Sequence, residues 1–419
     1  MKVRNVILLG ATGSVGTQAL EVIAANPSRF AVIGLGAGSQ VAAVVEQAVR
    51  TGARQLAVAV PPAGGEAAIR QQLADCAERL QLPVRVEQIF TGPEASAALA
   101  SQPADVVLNA VTGAVGLTST LAALEAGTDV ALANKESLII GGELVLRTAA
   151  QNAAQLIPVD SEHSAIAQAL RAGRREEISR LIITASGGPF RGMSAAQLAA
   201  VTPEQALAHP TWNMGTVITT NSATMVNKGL EIIEAHLLFD IDFDRISAVV
   251  HPQSRIHSMV EFVDGSTIAQ VSPPDMKLPI AYALGTGRDG ETTRIAGATA
   301  PEPFDAASSW TFEPVDDENF PALQLAVRAG RAGGTAPAVY NAANEELVAA
   351  FHTGTITFPQ ISAGIAAALD HHLGGGENHL GSREDTGALT LEAVLGADAW
   401  AREFIAGWLQ TSAAEEARA

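Results

Sequence analysis

The sequence predicts an α/β enzyme whose amino-terminal part is a Rossmann-like, doubly wound parallel sheet. Apolar strand patterns alternate with Ala-rich helical patterns through the first 150 residues, as in βαβ units. A glycine-rich turn, GATGSVG at 10–16, follows the first strand and opens a helix. The chain has 419 residues, 47% of them hydrophobic, which is typical of a globular protein with two or three domains.

The strands of this first domain are runs of apolar residues bounded by glycine or polar residues. Such runs are typical of parallel strands buried on both faces. We predict strands at 5–10, 30–38, 55–60, 106–111 and 128–134, in a dinucleotide-binding domain over 1–155.

The pattern changes from LIPVD (156–160) onward. A strand at 180–186 ends in two glycines, and a helix is predicted at about 222–239. Apolar strands within 255–272 are joined by Asp264-Gly265, a strong hairpin signal. Antiparallel pairing predicts an α+β catalytic domain over 156–285 with a flap at about 186–216, a Gly/Pro-rich linker over 286–316 and a C-terminal helical domain over 317–419.

Charge and composition exclude several classes of partner. The net charge of −18 argues against nucleic acid and against an anionic membrane surface. The sequence contains no uninterrupted apolar stretch of about 20 residues, so we expect no membrane span. The single cysteine, Cys76, cannot form an internal disulfide, which fits a cytoplasmic protein.

The glycine-rich turn predicts a dinucleotide site. Glycines let the backbone approach a diphosphate, whose charge lies against N–H groups at the helix start. The alternative is a glycine turn that binds nothing. No acid ends the second strand, where Ser39 and Gln40 stand; this favours NADP, but no neighbouring Arg or Lys supports it. The choice between NAD and NADP stays open on the residues alone.

Charged residues follow two later strands, and the first of these segments, with Lys135, lies at the edge where ligands of open α/β sheets bind. Lys135 could hold a substrate oxygen, although a solvated loop lysine is common. Asp160 and Glu162 could face a cation, and with Glu231 they would supply three oxygen ligands for Mg²⁺ or Mn²⁺. The alternative for this segment is helix capping by Asp160 and Ser161. His163 is interpreted as a neighbour of the ligands.

Residues 209–231 carry the strongest functional signal. Asn227, Lys228 and Glu231 are spaced to share one helix face, which suits a phosphorylated, metal-coordinated ligand. The alternative is a solvated helix face. Two serines could contact phosphate, Ser186 and Ser222. Three flap residues could close over a ligand: His209, Trp212 and Met214. A last candidate, His257, lies on a strand, where a packed, hydrogen-bonded histidine is nearly as good an explanation as contact with substrate.

Taken together, these segments resemble the 1-deoxy-D-xylulose 5-phosphate reductoisomerase family. The motifs run in the family's order from GATGSVG to NAANE at 341–345: NKESL, PVDSEH, ASGGPFR, HPTW, NSAT, VNKGLE, HPQS, IHSMV and PPDMKLPI. The resemblance implies an NADPH- and metal-dependent enzyme, a homodimer, that rearranges and reduces a small phosphorylated sugar, 1-deoxy-D-xylulose 5-phosphate, to 2-C-methyl-D-erythritol 4-phosphate for isoprenoid biosynthesis.

The resemblance also implies roles by position. Cofactor contacts would be Thr12, Gly13, Ser14, Val15, Gly38, Ser39, Gln40, Asn134, Glu136 and Gly215. Metal ligands would be Asp160, Glu162 and Glu231, and substrate contacts Lys135, Ser161, Glu162, Ser186, His209, Trp212, Met214, Ser222, Asn227, Lys228, Glu231 and His257. The catalytic set is Lys135, Glu162, His209 and Glu231.

Two other functions compete with this interpretation. One is an NAD(P)-dependent dehydrogenase of the same layout that acts on a different substrate, and Ser186, Ser222 and Lys228 argue against it. The other is a non-catalytic dinucleotide-sensing protein, which has no need of three metal-binding carboxylates.

Overall fold

The computed structural model describes residues 3–212, 214–288, 290–374 and 388–416. The chain forms two compact units, each built from separate stretches. Unit 1 contains Met1–Ser137, Val145–Ser164 and Asp275–Ala300, and unit 2 contains Leu138–Leu144, Ala165–Pro274 and Pro301–Ala419. Residues 375–387 and 417–419 of the predicted C-terminal helical domain lie outside the described part.

The strands form one parallel and one mixed sheet. The parallel sheet has seven strands in the order β4-β3-β2-β1-β5-β6-β7. They are β1 (Arg4–Leu9), β2 (Phe30–Ala37), β3 (Gln55–Val58), β4 (Gln88–Thr91), β5 (Val106–Asn109), β6 (Asp129–Leu132) and β7 (Leu156–Pro158). The second sheet has the order β11-β10-β8-β9-β12, with β8 (Ile178–Ala185), β9 (Ile246–Val250), β10 (Ile256–Phe262), β11 (Thr267–Val271) and β12 (Glu313–Pro314).

Helices follow most strands of the parallel sheet and dominate the last third of the chain. They are α1 (Ser14–Ala25), α2 (Val41–Thr51), α3 (Gly65–Leu80), α4 (Ala95–Ala100), α5 (Gly116–Glu125), α6 (Lys135–Gln151), α7 (Ser161–Ala169), α8 (Ala195–Leu198), α9 (Pro203–Ala206), α10 (Thr216–Ala223), α11 (Val226–Phe239), α12 (Lys277–Gly285), α13 (Ala322–Ala332), α14 (Ala336–His352), α15 (Phe358–Leu373) and α16 (Leu391–Glu416). In the described part, no helix is both long and apolar enough to cross a membrane.

Unit 1 confirms the predicted doubly wound sheet. All five predicted strands are present, each within the predicted range or a residue beyond it. The unpredicted strand β4 is an edge strand in which only Ile89 is buried, so it lacks a continuous apolar run. The strand order reverses between β1 and β5, which places a crevice at their carboxyl ends.

The units differ from the domain boundaries predicted at 155/156 and 285/286. Strand β7 pairs with β6 of the parallel sheet, so the chain leaves unit 1 later than predicted. Helix α12 buries Ile280 and Leu284 in the core of unit 1, and Arg4 Nη1 donates to the Leu284 carbonyl at 2.7 Å. An apolar helix face indicates burial but does not identify the core that buries it.

Unit 2 confirms the predicted hairpin, because β10 and β11 pair antiparallel and Gly265 takes a φ of +86° in their turn. The predicted linker contains one strand, β12, which pairs with β9. The helix predicted at about 222–239 is α11 with the last two residues of α10, because Met225 between the two helices has a φ of +64° and interrupts the helical backbone.

Candidate active site

The glycine-rich turn of unit 1 lies where the strand order reverses. Gly10 has a φ of +74°, and a Cβ there would lie 2.3 Å from the Ala110 carbonyl oxygen at the end of the neighbouring strand. A Cβ on Gly16 would lie 2.3 Å from the Gly10 carbonyl oxygen. These two glycines are therefore required for the close packing of β1, β5 and α1.

The middle of this turn faces outward. Thr12 is half-buried, and Gly13 and Ser14 are exposed. Gly13 immediately precedes helix α1, and Ser14 is its first residue. The first N–H groups of a helix have no partner within it, and they carry the positive end of its dipole. The turn can therefore accept a diphosphate against its backbone. Gly38, Ser39 and Gln40 are also exposed and follow β2, the strand next to β1.

Asn134 caps helix α6 and is buried. Its side-chain oxygen accepts from the Ser137 backbone N–H at 3.2 Å, and its amide donates to the Gly113 carbonyl at 3.0 Å and to Glu136 Oε2 at 2.8 Å. Asn134 thus orders the α6 start, which fixes the backbone of Lys135, the next residue.

Lys135 and Asp160, which follow different strands, meet in unit 1. They form an ion pair, and their side chains are only 12% and 13% exposed. The Ser161 hydroxyl donates to the Glu162 carboxylate, and the Ser164 backbone N–H donates to the Asp160 carbonyl at 2.8 Å. The residues between β7 and the first turn of α7 therefore present two carboxylates, and the start of α6 presents an ammonium beside Asp160, all half-buried.

In unit 2, one histidine connects two serines and the backbone at 211–212 of the flap. His209 Nε2 lies 3.0 Å from Ser186 Oγ and 3.2 Å from Ser222 Oγ. Its Nδ1 accepts from the backbone N–H groups of Thr211 and Trp212, at 3.1 and 2.9 Å. Because Nδ1 is an acceptor, the neutral ring carries its proton on Nε2 and donates toward the serines.

This tautomer determines what the serines can do. Ser186 Oγ also accepts from the Gly188 backbone N–H at 3.2 Å. Since both serine oxygens accept from His209, their hydroxyl protons can be donated to a bound anion. Ser186, Ser222 and His209 are all half-buried, so such an anion would be partly shielded from water. The structure therefore brings these three predicted substrate residues together.

Protonation of His209 should oppose this arrangement, because burial lowers the pKa of its imidazole. The folded chain then binds fewer protons than the unfolded chain between the lowered and the ordinary pKa. We expect the free energy of unfolding to rise with pH across that interval and to be lost as pH falls through it.

Nitrogen NMR of the histidines, with chemical denaturation at several pH values, measures this dependence. His209→Gln should reduce the pH dependence, and because burial also lowers the pKa of His352, His352→Gln should reduce it separately. A His209 that titrates like an exposed histidine, or that carries its proton on Nδ1, would contradict this account.

Helix α11 confirms the predicted shared face. Asn227 Nδ2 donates to Glu231 Oε1 at 2.5 Å, and Lys228 Nζ forms an ion pair with Glu231 Oε2. Glu231 is 1% exposed and Lys228 4%, so the alternative of a solvated face is wrong for these two residues. The helix holds a buried carboxylate and its counter-charge one turn apart.

The remaining predicted residues of unit 2 lie in the flap or contact it. The Trp212 ring lies 6.3 Å from the His257 ring, and His257 Nε2 donates to the Ser272 carbonyl at 3.2 Å. His257 is thus packed and hydrogen-bonded, one of the two readings left open by the sequence. Met214 is half-buried, and Gly215, which is exposed, precedes the first residue of α10.

Sequence reasoning missed the residues that support these groups. Gly188, with a φ of +65°, packs against α10: a Cβ would lie 3.0 Å from the Ser222 carbonyl oxygen. Asn344 and His352 of α14 make hydrogen bonds to Asn221 and Thr220 of α10. The NAANE motif at 341–345 was the available signal, but it names no partner.

Comparison with known proteins identifies the family. Three family models match the chain. Residues 6–142 match the model described as 1-deoxy-D-xylulose 5-phosphate reductoisomerase, and residues 156–239 match the one described as its C-terminal domain. Residues 271–404 match the model described as DXP reductoisomerase C-terminal domain. The chain is 56% identical over 403 residues to the 1-deoxy-D-xylulose 5-phosphate reductoisomerase of Beutenbergia cavernae, covering 96% of each chain. It is 52% identical over 414 residues to that of Paenarthrobacter aurescens, covering 99% of this chain and 100% of the relative.

Solved structures agree. The Zymomonas mobilis reductoisomerase in complex with NADPH has a TM-score of 0.84 at 39% identity, covering 97% of this chain and 99% of that one. A reductoisomerase in complex with NADPH, fosmidomycin and magnesium has a TM-score of 0.87 at 35% identity, covering 97% and 98%. With the parallel sheet, the glycine turn and the order of the motifs, these matches show that the chain belongs to the 1-deoxy-D-xylulose 5-phosphate reductoisomerase family.

Proposed function

We propose that this chain is an NADPH- and divalent-metal-dependent enzyme that converts 1-deoxy-D-xylulose 5-phosphate to 2-C-methyl-D-erythritol 4-phosphate, a step of isoprenoid precursor biosynthesis. The observation that carries the proposal is the match along nearly the whole chain to named reductoisomerases, at 52% and 56% identity. The chain's own side chains support it, since they supply acidic, hydroxyl and ammonium groups of the kinds this reaction needs.

The proposed cofactor site is the carboxyl edge of the parallel sheet. Gly10 and Gly16 are required by packing, and the exposed turn between them, with the first N–H groups of α1, fits a diphosphate. We assign cofactor contact to Thr12, Gly13, Ser14, Val15, Gly38, Ser39, Gln40, Asn134, Glu136 and Gly215. When bound, NADPH supplies the hydride for the reduction.

The proposed metal ligands are Asp160 and Glu162 of unit 1 and Glu231 of unit 2. Three carboxylates are an all-oxygen donor set, which suits Mg²⁺ or Mn²⁺. When bound, the metal acts as a Lewis acid on the substrate's carbonyl and hydroxyl oxygens. Within the chain, Lys135 forms an ion pair with Asp160, and Lys228 forms one with Glu231.

The proposed phosphate pocket consists of Ser186, Ser222 and His209, with Asn227 and Lys228 completing it. Hydroxyl protons of the two serines and the amide and ammonium groups of α11 can all donate to phosphate oxygens. Neutral His209 supports this pocket by donating to the serine oxygens. The phosphate would anchor the substrate for rearrangement.

Proton transfer is assigned to Glu162, with Lys135 as the second candidate. Both are half-buried, and Glu162 accepts from the Ser161 hydroxyl. A carboxylate in such surroundings can take a substrate hydroxyl proton and return it during the rearrangement. Trp212, Met214 and His257 would exclude water when the flap closes, and Ser161 would contact substrate.

A single glycine tests the phosphate pocket. Gly188→Ala adds a Cβ that lies 3.0 Å from the Ser222 carbonyl oxygen and 3.1 Å from Ala223 Cα, so α10 must move. We expect the KM for the phosphorylated substrate to rise about tenfold, because one charge-assisted hydrogen bond is misplaced. The KM for NADPH should be unchanged.

Gly192→Ala is the matched control for this variant. Gly192 has a similar φ of +78°, but no atom lies within 4 Å of its added Cβ. Both variants therefore share the backbone strain of a left-handed alanine, and only one moves α10. Equal effects on KM would show that Ser222 does not hold the phosphate.

One assay separates the proposed function from its alternatives: NADPH oxidation by the purified protein with 1-deoxy-D-xylulose 5-phosphate, with and without Mn²⁺. The proposal expects NADPH oxidation only when both 1-deoxy-D-xylulose 5-phosphate and Mn²⁺ are present. Oxidation with another, non-phosphorylated substrate would favour a related dehydrogenase. NADPH binding without any turnover would favour a dinucleotide sensor.

Two further features belong to the same proposal: a homodimer and a cytoplasmic location. The homodimer is supported by strand β11, which lies at the edge of its sheet and exposes Thr267–Ala269, with the exposed Val263 and Ile268 at or near this edge.

The cytoplasmic location is supported by Cys76, a free, buried thiol, which fits a reducing compartment. Light scattering after size-exclusion chromatography and cell fractionation would test the two statements.

A further inference from the structure

Helix α14 holds helix α10 through two side-chain hydrogen bonds in unit 2. Asn344 Nδ2 donates to Asn221 Oδ1 at 2.9 Å, and both residues are buried. His352 Nε2 lies 2.8 Å from Thr220 Oγ1. Thr220 donates its hydroxyl proton to the Thr216 carbonyl at 3.0 Å, so it accepts from His352.

Helix α10 connects the flap to the phosphate pocket. It begins directly after Gly215 of the flap, and Ser222 follows Asn221 in its last turn. Gly188 lies against the backbone of Ser222 and Ala223 from another side. The position of Ser222 is therefore determined by contacts on two sides, the glycine turn and α14.

The Asn344–Asn221 contact specifies orientation more than it adds stability. Asn344 is fully buried, and its Oδ1 accepts no hydrogen bond from any described residue. A buried polar atom without a partner is unfavourable, and an apolar pair of similar shape is often as stable as a buried polar pair. The amide pair, however, has one favourable geometry, which an apolar pair does not impose.

We propose that Asn344 and His352 are positioning residues for the phosphate pocket, acting through Asn221 and Thr220 to fix Ser222. This inference rests on the proposed function of that pocket. It gives the C-terminal helical region a role, namely to set the angle of α10 and thereby the direction of the Ser222 hydroxyl.

Asn344→Leu removes the hydrogen bond at similar volume. It removes the unpartnered Asn344 Oδ1 but leaves the buried Asn221 Oδ1 without its donor, so we expect the melting temperature to fall by about 2–4 °C. The KM for 1-deoxy-D-xylulose 5-phosphate should rise about tenfold, with kcat and the KM for NADPH within about twofold of wild type. His352→Gln, which keeps a donor, should be milder than His352→Ala.

Asn341→Leu is the matched control. Asn341 is a buried asparagine on the same helix, but its amide donates to Glu345 of α14 itself at 3.0 Å. This variant should leave the KM for the substrate unchanged. If both asparagine variants raise that KM equally, the effect comes from disturbing α14 in general, and the inference is wrong.

A double variant tests whether the effect passes through Ser222. Ser222→Ala removes the hydroxyl whose position is in question, so adding Asn344→Leu should raise KM no further. Additive effects would overturn the inference, and so would an equal rise in the KM for NADPH.

Binding of inorganic phosphate to the full chain, measured by calorimetry, separates this inference from the proposed reaction. A pocket that binds phosphate in wild type and binds it about tenfold more weakly in Asn344→Leu would support positioning even if the chain showed no turnover. If the chain shows turnover but Asn344→Leu binds phosphate as tightly as wild type does, the inference is wrong and the proposed function still holds. A wild-type chain that binds no phosphate would also overturn it.

Discussion

Replacing Glu231 with glutamine is expected to lower kcat by about 10²- to 10³-fold, because the proposed metal site loses one of its three charged ligands. Glu231 is 1% exposed, and its two oxygens accept from Asn227 and Lys228. A glutamine can keep the contact with Asn227, but it is neutral and a weaker ligand. Steady-state kinetics at saturating Mg²⁺ measure the effect.

The same substitution should also lower stability, because the buried Lys228 ammonium loses its counter-charge. Removing one partner of a buried ion pair commonly costs about 3–5 kcal/mol. Glu231→Asp is the matched variant that separates the two effects, since it keeps the charge near Lys228 but withdraws the carboxylate by one methylene. It should fold nearly as well as wild type and still lose most of its turnover. Near-normal kcat in the aspartate variant would show that Glu231 is not a ligand.

Removing divalent metal with a chelator is expected to abolish turnover while leaving NADPH binding intact. The proposed cofactor cradle is formed by backbone groups of the turn at 10–16, in which Gly10 and Gly16 are required by packing. That turn lies within unit 1 and contains no carboxylate. We therefore expect the Kd for NADPH, measured by fluorescence, to change by no more than about twofold on chelation.

Adding Mg²⁺ or Mn²⁺ back should restore turnover, whereas Ca²⁺ serves as a control that binds oxygen ligands in a larger, more flexible geometry. Full activity in the chelator would contradict a metal-dependent reaction. A parallel loss of NADPH binding would mean that metal and cofactor sites are not separate.

The parallel sheet and its glycine turn could be predicted because local signals determine them. Strand β1 is a continuous apolar run, and Gly10 and Gly16 stand where the backbone must turn or pack closely. Strand β4 could not be predicted, because an edge strand with one buried residue has no apolar pattern. The assignment of α12 to unit 1 depends on a partner core distant in sequence, as shown by the hydrogen bond from Arg4 to Leu284.

In the candidate site too, features set by local spacing could be predicted, and contacts between distant segments could not. The helical spacing of Asn227, Lys228 and Glu231 predicted a shared face, and the structure confirms their hydrogen bonds. The Lys135–Asp160 pair was not predicted, because the boundary expected at 155/156 placed the two residues in different domains. Asn221 and Asn344 are 123 residues apart, and no local pattern joins them either. The Gly188 contact was also unpredicted, because a glycine indicates conformational freedom but not the neighbour that needs the space.

Electron paramagnetic resonance of Mn²⁺ titrated into the purified chain tests most directly whether Asp160, Glu162 and Glu231 bind one metal ion together. The wild-type chain should bind one Mn²⁺ per active site, and Asp160→Asn, Glu162→Gln and Glu231→Asp should each weaken that binding by at least about tenfold. Arg180→Gln, which breaks an exposed ion pair with Glu261, is the control and should bind Mn²⁺ as wild type does. Unchanged Mn²⁺ affinity in any one of the three carboxylate variants would contradict the shared site.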